Sequence, residues 1–221
     1  MTQSTGPDLN KGCSAAALTW PARKVHLAVL AAFAETGRAP VQGDLERIAR
    51  GHDADPAPVL AELAARDVIA FGARGEIRAA YPFSPVPTPI QVTWAGGPVT
   101  YAMCAIDALG ISAMLGHPVA ITAAEPGAGR IITVHADRDR ARWDPQNTVV
   151  FAGATGDDGC PSAERTCGYI NFFTSPRAAR TWADHHPAIT GTVLDQAQAQ
   201  GQGVAEFGAF MQTGDDTATQ P

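Results

Sequence analysis

No stretch of this chain approaches the roughly 18 consecutive apolar residues that a bilayer-spanning helix requires. The segment from Met1 to Lys11 also lacks the apolar core of a secretory leader, which predicts a cytoplasmic protein. There is no excess of basic charge either. The formal net charge is -6, which disfavours a non-specific grip on nucleic-acid phosphate or an anionic membrane. Cysteine is scarce, with four residues at Cys13, Cys104, Cys160 and Cys167. They form no C-x-x-C and no paired Cys/His zinc pattern, and in a reducing compartment a disulfide framework is disfavoured. The six histidines form no cluster at ligand spacing. What remains is a small set of thiols kept for reactivity, or kept as small buried hydrophobes.

The chain has 221 residues, enough for one large domain or two small ones, and 45% of them are hydrophobic, enough for a real core. Residues 1–20 are rich in Ser, Thr, Gly and Ala without periodicity and read as a disordered tail. Val25, Val29, Leu30 and Phe33 predict a helix over 22–34, ended by Gly37. A second helix is expected over 40–50. A third begins near Asp55, where the carboxylate caps and Pro56 takes the first helical position. Residues 68–71 and 76–81 around Gly-Ala-Arg-Gly then read as a β-hairpin.

Three helices and a hairpin give residues 21–81 the order of a winged helix-turn-helix. Their charges do not support DNA reading. Eight basic residues between Arg23 and Tyr81 face eight acidic ones, and the third helix carries Glu62 and Arg66 without a basic cluster. Four prolines between Tyr81 and Ile90 predict an extended connector over 82–92 and a domain boundary there.

Residues 93–212 read as an α+β domain on a mixed or antiparallel sheet with flanking helices. Short strands are expected at 91–94 and 99–101, then a helix over 103–115. Further strands follow at 119–123, 130–135, 148–152, 167–173 and 192–194. Helices are expected over 175–185 and 204–211, and residues 213–221 read as a second disordered tail.

Cys104 and Asp107 stand three apart at the start of a predicted helix, which places both on one face. A thiol in the first turn is drawn towards thiolate by the helix dipole, while a neighbouring carboxylate opposes that effect. The pair could instead share one proton. The competing reading is a small core residue in an Ala/Ile/Leu-rich helix. Cys167 opens the strand Gly168-Tyr-Ile-Asn-Phe-Phe173, and strand starts and helix starts often meet at one rim of a sheet. Cys160 reads as a loop thiol, Cys13 as incidental, and His185-His186 as an exposed helix end.

The stretch Tyr101-Ala-Met-Cys104-Ala-Ile-Asp107 resembles the first catalytic segment of the organomercurial (alkylmercury) lyases. Thr166-Cys167-Gly-Tyr-Ile-Asn-Phe-Phe173, followed by the Ser-Pro helix with Trp182, resembles their second. With the proline connector and the helical N-terminal region, the likeness covers about residues 22–212. It implies carbon–mercury bond cleavage, with Cys104 and Cys167 as mercury-binding thiols and Asp107 as the carboxylate that handles the proton. It further implies an N-terminal part packed over the catalytic core, no organic cofactor or catalytic zinc, and cytosolic thiols or a mercuric reductase as acceptors of Hg(II). Two departures stand out: residues 119–124 hold no cysteine, and Gly168 occupies the place of a second cysteine found in some members. Two other classes compete, a non-catalytic winged-helix metal sensor and a thiol oxidoreductase cycling Cys104 and Cys167 as a disulfide.

Overall fold

The computed structural model describes residues 9–155, 162 and 166–211. Its first helix, α1 (Lys11–Ala16), lies in the segment expected to be loose. Leu9, Lys11, Ala15 and Leu18 are all buried, so the tail reading is corrected over residues 9–20. The cause is long-range. The carboxylate of Glu206 accepts from the backbone N–H groups of Asn10, Lys11 and Gly12 at 3.1, 2.6 and 3.3 Å. No local periodicity reveals such an anchor.

Helices α2 (Trp20–Thr36), α3 (Gln42–Gly51) and α4 (Pro56–Ala65) follow close to their expected places. Asp55 caps α4 through the N–H of Ala57, and Gly37 ends α2 at φ +70, a conformation in which a Cβ would be strained. Val25, Val29, Leu30 and Phe33 form the buried stripe of α2. Phe33 stacks on Phe83 at 5.2 Å, which joins the helical region to the proline connector.

The hairpin β1 (Ile69–Phe71) and β2 (Ile77–Ala80) continues through β3 (Phe83–Ser84) into the main sheet. That sheet has the order β1-β2-β3-β5-β4-β6-β7-β8, with β4 (Ile90–Thr93), β5 (Thr100–Ala102), β6 (Val119–Ala124), β7 (Ile131–Asp137) and β8 (Arg140–Asp144). Strand β8 escapes the periodicity reading because only Trp143 of its five residues is buried. A smaller sheet, β10-β9-β11, holds β9 (Val149–Ala154), β10 (Ile170–Phe173) and β11 (Thr190–Leu194). Every pairing among the described residues is antiparallel, and the architecture is α+β.

Helix α5 (Ala105–Leu115) runs through the centre, with Ala105 to Met114 all buried. Helix α6 (Pro176–Asp184) is capped by Ser175, as its Ser-Pro start predicts. The last helix, α7 (Gln196–Phe207), starts eight residues before the expected 204, under a capping box of Asp195 and Gln198. Its first half has no apolar stripe to announce it. It packs on α5 by close approach, because Gly110 and Gly203 leave no side chain between the axes. A Cβ on Gly203 would sit 2.8 Å from the Ile106 carbonyl oxygen and 2.9 Å from the Gly110 nitrogen. Gly203→Ala therefore forces the helices apart and costs about 1–3 kcal/mol, the usual scale of overpacking. Urea unfolding with an unchanged m-value and a lower midpoint is the expected result. None of the described helices is long and apolar enough to cross a membrane.

Candidate active site

Two chain segments far apart in sequence meet at the N-terminal end of α5. Strand β5 ends at Ala102, and two residues later Cys104 takes the N-cap position of the helix in an extended conformation. Its Sγ accepts the backbone N–H of Asp107 at 3.4 Å. The thiol thus does a capping residue's work, one position earlier than the first turn expected for it. Asp107, in the first turn, points into the same space and is fully buried.

Cys167 arrives from the other side, in a 3-10 turn, Cys167–Tyr169, which precedes β10; the strand was expected to begin at Cys167 itself. The turn is closed by the N–H of Tyr169 donating to the carbonyl of Thr166 at 2.8 Å. The Cys167 thiol donates to Asp107 Oδ2 at 4.0 Å. One ligand atom each from Cys104, Asp107 and Cys167 falls within 4.8 Å of the others, and all three residues are buried. The convergence brings together Cys104, Asp107 and Cys167, the three residues singled out in the sequence.

Burial dominates the electrostatics. It raises the Asp107 carboxyl from 3.8 to about 7, against the opposing pull of its hydrogen bonds with Cys104 and the positive charge of Lys11; Glu206 adds to the rise. Burial likewise holds the Cys104 thiol well above its usual value, reinforced by its contact with the Cys167 thiol and by the Asp107 charge. The helix dipole therefore does not produce a resting thiolate at Cys104. Asp107 Oδ1 is buried without a hydrogen-bond partner among the described residues. An orphaned carboxyl oxygen in a protein interior is costly.

Four residues near this point were missed in the sequence. Lys11, Asp67, Ser162 and Glu206 tie the α1 segment and the Cys167 turn to the core, and no short motif marks them. Of the other thiols, Cys13 is exposed and Cys160 lies outside the described residues. His185 and His186 stand exposed at the end of α6, the latter stacked on Trp182 at 4.1 Å.

Comparison with known proteins bears on both halves of the site. An alkylmercury lyase from Staphylococcus epidermidis is 32% identical over 117 residues, 53% of this chain and 54% of that protein. One from Streptomyces lividans is 30% identical over 165 residues, 73% of this chain and 74% of its own length. One from Bacillus cereus is 33% identical over 114 residues, 52% of this chain and 51% of its own. The chain thus spans about half the length of two of these three curated relatives and three quarters of the other. A solved structure, the mercury-bound form of MerB2, superposes with a TM-score of 0.73 at 26% identity, covering 93% of this chain and 99% of that one. The family model described as alkylmercury lyase matches residues 83–208. That match begins before Cys104 and ends beyond Cys167, and by it the chain belongs to the alkylmercury lyase family.

Proposed function

We propose that this chain is an organomercurial lyase that cleaves the carbon–mercury bond by protonolysis, releasing a hydrocarbon and Hg(II). The observation that carries the reading is the meeting of two thiols and one carboxyl at a single buried point. Thiolate is the softest ligand a protein offers, and it matches a soft metal. A carboxyl with its pKa near 7 can both take and give a proton at neutral pH.

The chemistry balances with these three groups alone. Cys104 attacks the mercury of R–Hg–X, its proton passes to Asp107, and X⁻ departs. The Cys167 sulfur then adds to the same mercury and pushes electron density onto the carbon. Asp107 delivers its proton to that carbon, R–H leaves, and Hg(II) stays on two sulfurs. The Cys167 proton leaves with X⁻ as HX. No organic cofactor or catalytic zinc takes part. Product release from two thiolates calls for an acceptor, cytosolic thiols or a mercuric reductase, and so for a cytoplasmic setting.

Residues 21–81 take the role of a winged-helix-like domain turned to packing over the catalytic domain of 93–212, with 82–92 as connector. The order of three helices and a hairpin supports this reading, as does the seating of Phe33 on Phe83. Incubating the reduced protein with phenylmercury and excess thiol and assaying benzene tests the activity. Steady benzene release is expected. Tight retention of Hg(II) with no benzene would leave the metal-sensor reading in its place.

A further inference from the structure

Cys167 rests on a three-residue turn, and a turn of that length does not fix a sulfur by itself. Its support is a polar chain. The N–H and Oγ1 of Thr166 both donate to the carbonyl of Ser162, at 2.9 and 3.0 Å. Ser162 is buried, and its N–H and Oγ donate to Asp67 Oδ2 at 3.1 and 2.5 Å. The ammonium of Lys11, only 1% exposed, closes the cluster. It donates to Asp67 Oδ2 and to the Asp67 carbonyl, each at 2.6 Å, and to Ser162 Oγ at 3.1 Å. It also lies 3.7 Å from the centroid of the Tyr81 ring. The backbone of Lys11 is anchored by Glu206 on α7, the helix that packs against α5.

We propose that Lys11 is the positioning residue of the second thiol: by clamping Asp67 and Ser162 it holds the Cys167 turn against the end of α5 that carries Cys104. The inference rests on the reading that both sulfurs take one mercury. A buried ammonium is a poor choice for packing alone, since an apolar side chain of similar length fills the space without desolvating a charge. The geometry gives the charge a task, because two chain segments distant in sequence, those of Asp67 and Ser162, converge on its three donors.

The test uses full-length protein in a Cys13→Ser, Cys160→Ser background, so that only Cys104 and Cys167 report. Hg²⁺ is titrated into the reduced protein, and thiols protected per mercury are counted alongside the ultraviolet sulfur-to-mercury charge-transfer band. One Hg²⁺ protects both thiols in the parent. In Lys11→Met, Hg²⁺ affinity falls about 10–100-fold, the scale of lost outer support at a metal site, and only one thiol is protected. Lys11→Arg, which keeps the charge and donors, recovers part of the loss. In turnover of phenylmercury, Lys11→Met lowers kcat and leaves KM within about twofold, because first capture by Cys104 is untouched. A folded Lys11→Met that protects both thiols at parental affinity overturns the assignment. If Lys11→Met does not fold, Ser162→Ala removes one link and carries the same expectation at smaller size; parental affinity there overturns it equally. The two proposals fail separately: a parent that protects both thiols yet yields no benzene sinks the lyase reading and leaves the role of Lys11 standing.

Discussion

Cys104→Ala and Cys167→Ala each abolish hydrocarbon release, by about 10³-fold or more, and they do so at different stages. Two reacting groups held at one metal act as an intramolecular pair, and removing either forfeits that advantage. Without Cys104 the substrate has neither its first ligand nor the thiol whose proton feeds Asp107, so the protein leaves phenylmercury unbound at this site. Without Cys167 the first capture proceeds and then stops. The variant accumulates a Cys104–Hg–phenyl adduct, which intact-mass measurement detects as a gain of the whole organomercurial group. Full turnover in either variant would remove the trio from the reaction. Among the described residues Cys104, Asp107 and Cys167 form the cluster of metal-ligating groups, so compensation by another group is not expected.

Asp107→Asn keeps both sulfurs and loses the proton carrier. Mercury binding persists, and the rate of benzene release drops about 10²–10⁴-fold, the usual contribution of a positioned acid–base group. The pH dependence follows from the position of this carboxyl near 7. Below that value it is already protonated and cannot accept the Cys104 proton; above it the carboxylate is ready. The wild-type rate therefore rises through about pH 7 on its acid side, and the Asn variant loses that rise. Stability moves the opposite way. A carboxyl whose folded pKa lies above its unfolded 3.8 contributes most to folding below pH 3.8, and that contribution is lost as pH rises through 7. An uncharged Asn escapes the loss, so between pH 5 and pH 8 wild type loses stability relative to the variant. Denaturant unfolding at pH 5 and pH 8 checks the sign.

The legible parts of this molecule are those written in local pattern. Asp55-Pro56 and Ser175-Pro176 announce the starts of α4 and α6, Gly37 announces the end of α2, and the apolar stripe of α2 lies where its spacing puts it. The spacing of Cys104 and Asp107 puts them on one helix face, but the meeting with Cys167 rests on resemblance, since a contact across 60 positions leaves no local trace. What stayed hidden has a common cause. Helix α1 is held by Glu206 and Asp67, both distant in sequence, and the first half of α7 is held by bare backbone contact at Gly110 and Gly203. Periodicity reads side chains facing a core. It cannot read a buried ion pair, or a helix that packs through missing side chains.

The sealing of the trio has a consequence for what the protein lets in. Cys104 and Asp107 are wholly shielded from solvent and Cys167 is 3% exposed. A hydrated divalent cation such as Zn²⁺ must shed its water before it reaches those sulfurs, at a steep cost in an apolar interior. A neutral, greasy molecule of the R–Hg–X kind carries little water to lose. If the trio takes the R–Hg–X substrate proposed above, its burial favours entry of weakly hydrated molecules over hydrated metal cations that the same donors could hold.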